Sequence, residues 1–242
     1  MNQTSNQKQT TKTTNFDFEI VAGDTDGLAF KKKDQKPFTD EERADILAAL
    51  NSKMDKLIRW EDDGVMKRQI VVKTKNYILV DQNNKVKIKG SALKATTKEK
   101  ALQKFIREVI ELLIKDRLDQ LFFLYLSYVR QIVNLKDISD WCSKKTVTKA
   151  VLTSERTNEV RVRKALEGTT VQEGDKIYTF FKTPEELCLR ENFDGTYDTD
   201  TLLSKLKDSL GIFSTIIQPD LFPDFSLKRN RSYIDKISPT EE

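Results

Sequence analysis

The chain contains no histidine. That excludes a histidine general base, a histidine-ligated zinc, and every Ser-His or Cys-His nucleophile arrangement. Only two cysteines are present, Cys142 and Cys188. They are far apart and match no metal-binding spacing, so a disulfide framework is not expected and a reducing cytoplasm is the default location. Charge of one sign is also lacking: Lys and Arg total 42 against 38 Asp and Glu, a formal net charge of +4. No global basic field follows, and any nucleic-acid surface has to come from local patches. Long hydrophobic runs are missing too. The longest, Leu121 to Val129, is too short to cross a bilayer and reads as a buried helix, so no membrane is expected among the partners. The first 15 residues are rich in Asn, Gln, Thr and Lys and have no apolar core. They read as a disordered lead-in, not a signal peptide. There is no internal repeat.

What is present begins with a short acidic turn, Gly23-Asp24-Thr25-Asp26-Gly27, between two runs with strand character. Such a pattern predicts a β-hairpin whose glycines tolerate unusual backbone angles. Its tip pushes Asp24 and Asp26 forward together, where they can share a hard cation such as Mg2+. Asp-x-Asp alone says little, because a solvated turn has the same composition. The chain repeats the triplet at Asp198-Thr199-Asp200, ahead of the apolar rhythm Thr201 to Leu206, and there it reads as an ordinary helix cap.

Thr39-Asp40-Glu41-Glu42 is a capping box. The helix it opens is expected to carry Ile46, Leu47, Leu50, Met54, Leu57 and Ile58 on one face, up to Asp62-Asp63-Gly64. The run from Gln69 to Val80 then predicts one strand, Asp81 to Asn84 a turn, and Lys85 to Gly90 the return strand. Alternation puts Lys85, Lys87 and Lys89 on one face, about 6–7 Å apart, as a phosphate track requires. Lysines that protect a solvated edge strand give the same pattern. Lys73, Lys75 and Tyr77 extend the basic and aromatic set onto the partner strand.

Thr96 to Glu99 is a second capping box by pattern. It opens a long helical region with Leu102, Phe105, Ile106, Val109, Ile110 and Leu113 on one side, continuing to Val133 as one or two helices. Trp141 and Cys142 are expected in the core. Val147 to Leu152 reads as a strand or extended loop. Thr157 to Leu166 reads as a helix stopped by Gly168, with Arg161, Arg163 and Lys164 on a solvated face. Lys176 to Phe181 is a strand, Thr183-Pro184-Glu185-Glu186 opens a helix, and a last helix runs from Thr201 to Leu210. The fold class is therefore α+β: antiparallel hairpins with a packed helix, followed by a mostly helical region.

Several of these segments resemble family B DNA polymerases. Val21 to Gly27 resembles the third palm motif, Y-G-D-T-D-S; Lys73 to Leu79 resembles K-K-x-Y; Lys87-Ile88-Lys89-Gly90 resembles the following K-x-K-G element. Val171 to Tyr178 looks like a thumb segment of such enzymes, particularly viral ones. The order and spacing match from Phe16 to the C-terminal tail. Ala22 stands where Tyr is usual, Gly27 replaces Ser, and Thr74 breaks the double lysine. The family's D-x-x-S-L-Y-P palm motif and its K-x-x-x-N-S-x-Y-G fingers helix are absent.

The resemblance implies a C-terminal polymerase portion, with 16–92 as the end of the palm and 93–242 as the thumb. It implies that Asp26, supported by Asp24, is a catalytic Mg2+ ligand in a two-metal site, and that Lys75, Tyr77, Lys87 and Lys89 hold primer–template DNA. Lys94, Arg161, Arg163 and Lys164 are further DNA-binding candidates. A companion polypeptide is expected to carry the rest of the palm and fingers and to complete the dNTP site. Alone, the chain is expected to be inactive in DNA replication. A noncatalytic DNA-binding module and a metal-dependent nucleotide-sugar transferase are the alternatives.

Overall fold

A computed structural model of the chain describes residues 17–24, 27–55 and 57–234, with Asp24 by its backbone alone. The fold is α+β, built from three small sheets and seven α-helices among the described residues. The expected disordered lead-in, 1–15, lies outside the described residues. The chain divides into two compact units: Met1–Arg68 with Val80–Lys85, and Gln69–Leu79 with Val86–Glu242.

In the first unit, β1 (Phe18–Asp24) pairs antiparallel with β2 (Gly27–Lys32), giving the expected hairpin. Helix α1 (Asp40–Ser52) follows, and the Thr39–Glu42 capping box forms in both directions. The helix is shorter than its apolar spacing suggested. The Asn51 amide both accepts from the Trp60 backbone N–H at 2.7 Å and donates to the Trp60 carbonyl at 3.1 Å. This draws the chain off the helix axis, and Leu57 and Ile58 end exposed. Ile46 is the one fully buried residue of α1.

The region read as one hairpin after Gln69 is a three-stranded sheet, in the order β3 (Met66–Lys73), β4 (Asn76–Asp81), β5 (Val86–Lys89). A two-residue turn at Thr74 and Lys75 splits the run expected to be a single strand. Lys75 has a φ of 60°, the left-handed region. Lys75 is therefore a turn residue, not a strand-face residue.

The second unit is organised on α3 (Lys100–Ile114), α4 (Leu121–Val133) and α7 (Thr199–Gly211), introduced by the short α2 (Ser91–Lys94). Each helix buries one stripe, and Leu102, Phe105, Ile106, Val109, Ile110 and Leu113 are all buried as their spacing predicts. Val72 and Ile78 of the sheet belong to the same core. Thr215 Oγ1 donates to the Val72 carbonyl. Asp198 caps α7, accepting from the Thr201 N–H at 3.1 Å, so the second Asp-x-Asp is a helix cap. Trp141 and Cys142 are buried, and both cysteines are free thiols.

A third sheet places β7 (Lys176–Phe181) between β6 (Ser143–Thr146) and β8 (Leu187–Leu189). It is sandwiched: Phe180 faces the main core, while Ile177, Leu187 and Leu189 join Val147, Val151 and Val162 in a smaller one. The smaller core is closed by α5 (Lys149–Thr153) and α6 (Thr157–Ala165). Two expectations fail here. Residues 147–152 are not a strand: β6 ends at Thr146, the Val147 N–H bonds to the Asp175 carbonyl at 2.9 Å, and α5 begins at Lys149, with Val147 and Val151 buried in the smaller core. Thr183–Glu186 is not a helix start but the link between β7 and β8, closed by a 2.9 Å bond from the Lys182 N–H to the Glu186 carbonyl. Burial of Leu187 and Leu189 at strand period outweighs the helix-start pattern.

Candidate nucleic-acid interface

The hairpin register places Asp24 opposite Gly27 at the tip. Thr25, Asp26 and the Asp24 side chain lie outside the described residues, and with them the expected Asp24–Asp26 pair. The register shifts between Ile20 and Ala22, leaving Val21 as an extra, bulged residue. Below the bulge, Glu19 and Lys31 pair at 2.6 Å and the Phe18 and Phe30 rings pack with centroids 5.2 Å apart. Lys32 joins the hairpin to α1 through Glu42, at 2.7 and 2.9 Å. The Lys32 ammonium and the Thr39 N–H hold the Glu42 carboxyl below its ordinary range.

Among the described residues no three His, Cys, Asp or Glu side chains gather closely enough to hold a metal ion. Hard carboxylate oxygens suit Mg2+, which commonly takes only one or two carboxylates beside substrate phosphates.

The basic candidates meet at a different point, within the second unit. Gly90 ends β5 with a φ of 99°. A Cβ built there lies 2.3 Å from both the Asn76 Oδ1 and the Lys75 carbonyl oxygen. Only glycine lets the end of β5 approach the Lys75 turn this closely. Asn76, which is buried, locks the junction: its Nδ2 donates to the Thr74 carbonyl at 2.9 Å, and its Oδ1 accepts from the Ala92 N–H at 3.0 Å. The K-T-K-N-Y and K-I-K-G segments are thus brought together by backbone geometry. Lys75, Lys87, Lys89 and Lys94 are exposed, Tyr77 and Ile88 are half-buried, and Leu93 anchors α2 in the core. Lys87, Lys89 and Lys94 make no ion pair among the described residues. Unpaired ammonium groups on a fixed edge are available to phosphate.

The three basic residues on α6 differ from one another. The Arg163 Nη1 donates to the Leu152 and Ser154 carbonyls at 3.2 and 3.0 Å, closing the end of α5. Arg161 lies over the Phe181 ring, 5.8 Å from its centroid. Lys164 is exposed. The face is therefore less solvated than its composition suggested.

Glu99 is the main surprise. The second capping box does not form, because Glu99 is itself the cap residue of α3 and makes no side-chain cap bond. Its buried carboxylate instead accepts from Ser143 Oγ and Lys205 Nζ, both at 2.6 Å. Burial alone pushes its pKa up, but the Lys205 charge and these hydrogen bonds bring it below its ordinary value. The pattern gave no sign of these tertiary partners. The Asn76 junction did leave one: an Asn inside a β-branched run disfavours strand and favours a turn.

Comparison with known proteins gives a partial likeness. No family model matches the chain. A stretch of 77 residues, 31% of the chain, is 34% identical to a DNA polymerase of Methanocaldococcus jannaschii. The structure of the family B DNA polymerase from the hyperthermophilic archaeon Pyrobaculum calidifontis superposes over 83% of this chain, with a TM-score of 0.59 and 16% identity. The likeness is to family B DNA polymerases. It is partial: the chain spans 5% of the Methanocaldococcus protein and 27% of the Pyrobaculum chain. At 16% identity the structural likeness is one of fold. No helix among the described residues is long and apolar enough to cross a membrane.

Proposed function

We propose that this chain is the C-terminal part of a family B DNA polymerase of viral type, comprising the end of the palm (16–92) and the thumb (93–242), and that it acts in template-directed DNA synthesis with a companion polypeptide. The observation that carries this reading is the proportion of the likeness: most of this chain follows about a quarter of a polymerase fold. In this reading the companion polypeptide supplies the rest of the palm and the fingers.

In this reading the chain's own residues do two things. Asp24 and Asp26 present carboxylates at the hairpin tip, as two ligands of a Mg2+ site finished by the companion. Lys75, Lys87, Lys89 and Lys94, grouped around Gly90 with Tyr77 beside them, grip the primer–template backbone near its growing end. Bound Mg2+ would lower the barrier to attack on the nucleotide by activating the primer hydroxyl and steadying the transferring phosphoryl group. The lysines contribute position, by holding the primer–template backbone.

Primer extension tests the proposal. Purified chain with Mg2+, dNTPs and primed template should give no product. Addition of the polypeptide that bears the missing palm and fingers should give templated synthesis, and Asp26→Asn should abolish it. Extension by the chain alone refutes the split-site reading. The lysine junction is whole within the second unit, which favours a noncatalytic DNA-binding module as the second reading. Duplex binding with no synthesis alongside any companion would select it.

A further inference from the structure

Glycine follows aspartate at Asp26, Asp63 and Asp194. Such a pair is open to a backbone reaction, because a glycine nitrogen has no neighbouring Cβ to hinder its approach to the aspartate carboxyl carbon. Asp26 lies outside the described residues. The other two pairs are closely matched. Asp63-Gly64 and Asp194-Gly195 lie outside helices and strands, all four residues are exposed, and the glycine φ angles are 94° and 92°. A Cβ built at either glycine meets nothing within 4 Å. The carboxylates differ. Asp194 is tied at both oxygens: Oδ2 accepts from Lys182 Nζ at 2.6 Å and Oδ1 from the Thr196 N–H at 2.9 Å. These bonds, that of Lys182 first, hold its pKa down to about 2. The Asp63 carboxylate makes no ion pair or hydrogen bond among the described residues. Its neighbour Asp62 is engaged twice: Oδ2 accepts from Arg43 Nη1 of α1 at 2.6 Å, and Oδ1 accepts from the Gly64 N–H at 2.8 Å.

We infer that Asp63 is a modification site at which the folded chain converts an aspartyl linkage to isoaspartate, while the same dipeptide at Asp194 is protected. The inference is independent of the polymerase reading. The Gly64 nitrogen attacks the Asp63 Cγ and forms the new C–N bond of a five-membered succinimide. Asp62 Oδ1, within hydrogen-bond reach of that nitrogen, is placed to take its proton. The proton and the hydroxyl of the Asp63 carboxyl leave as one water. A second water then opens the ring. Addition at Cγ restores aspartate. Addition at the Asp63 backbone carbonyl leaves the main chain running through Cγ, one methylene longer, with a free carboxylate on Cα. One water is lost and one gained, and nothing is oxidised or reduced. A carboxyl group loses its oxygen as water only in the protonated form, which the Lys182 ion pair and the Thr196 N–H suppress at Asp194. At Asp63 no partner holds the carboxylate back. The longer link joins α1 to β3 and shifts the Gly64 N–H away from Asp62, loosening the tie from Asp62 to Arg43.

The test incubates the full folded chain at neutral pH, digests it, and counts isoaspartate in each peptide by the labelled methyl group that a protein isoaspartyl methyltransferase transfers from S-adenosylmethionine. The peptide that holds Asp63 should gain roughly tenfold more label than the peptide that holds Asp194, the factor that a single unit of carboxyl pKa makes in the protonated fraction. In urea, where the Lys182 and Thr196 contacts are gone, the two peptides should gain label at equal rates. Asp63→Glu, whose ring would need six members, should remove the label from its peptide. Lys182→Met should raise the label at Asp194 in the folded chain and leave Asp63 unchanged. Asp62→Asn should slow the reaction at Asp63, and an equal rate overturns the part given to Asp62. Equal labelling of the two peptides in the folded chain, or label that survives Asp63→Glu, overturns the site. A Lys182→Met chain in which Asp194 stays unlabelled overturns the reason given for the difference.

Discussion

The acidic hairpin and the helical unit solve the problem of stability in opposite ways. In the helical unit α3, α4 and α7 converge on Phe105, Tyr125, Leu206 and Phe213, each 0% exposed. In the hairpin Ile20 is 61%, Val21 44% and Leu28 40% exposed, on a sheet of two strands. A two-stranded ribbon is marginal by itself in water. The helical unit carries its own core, whereas among the described residues the hairpin presents apolar side chains and strand edges that pair with no further strand, as a piece of a larger sheet does. The contrast matches a chain that follows only part of a polymerase fold.

The sharpest way to break this contrast is a pair of substitutions. Phe105→Ala should cost about 3–5 kcal/mol of unfolding free energy in urea, through lost burial and the cavity left behind. Ile20→Ser should stay within about 0.5 kcal/mol, as exposed positions do. Equal costs would mean that the hairpin is already in a core and needs no further cover. Next in size is Lys205→Met, which strands the Glu99 carboxylate. Removing one partner of a buried pair costs about 3–5 kcal/mol, and the lower end applies because Lys205 keeps 30% exposure. The pH dependence follows the same pair. The Glu99 pKa in the folded chain lies below its ordinary 4.5. Its contribution is therefore full above about pH 4.5 and is lost as pH falls through the lower folded value. Glu99→Gln should flatten the acid limb of a stability-versus-pH curve, and an unchanged limb would remove the pair from the account.

Gly90→Ala comes next. It should lose at least the roughly 1–3 kcal/mol of a left-handed position occupied by a residue with a Cβ, with the contact on the Lys75 carbonyl added. It should also weaken duplex binding without removing a charge, since the lysines of the junction move apart. Asp198→Ala follows at about 1 kcal/mol, the ordinary worth of a helix cap. A much larger loss would point to a wider role for the Asp198 and Thr201 contact at the start of α7.

What could be read in advance divides along physical lines. Stripes at helical spacing were legible because burial of α3 and α4 is decided by their own periodicity. So were the acidic hairpin and the Asp198 cap, whose residues act over a few positions. Features that depend on distant chain were not. Glu99 fits a capping box by pattern, yet Lys205, over a hundred positions away, takes its carboxylate. Leu187 and Leu189 follow a helix-start motif, yet β7 recruits them as a strand. Of the candidate site, the K-x-K-G lysines were legible, but the close approach of Gly90 to Asn76 that joins them to Lys75 was not.

The smallest expected change in stability accompanies the most direct test of the junction. Lys87 and Lys89 are exposed residues of an edge strand, and neither holds an ion pair among the described residues. Replacing both by Ala should shift unfolding free energy by no more than about 0.5 kcal/mol. If each lysine meets one phosphate, the salt slope of duplex binding should fall by about 1.8. If instead they only keep an edge from pairing with other chains, the slope will hold and the doubly substituted protein will aggregate at concentrations where the parent stays dispersed. The two outcomes differ in kind, so one binding titration and one light-scattering measurement decide whether β5 is a phosphate track or a guarded edge.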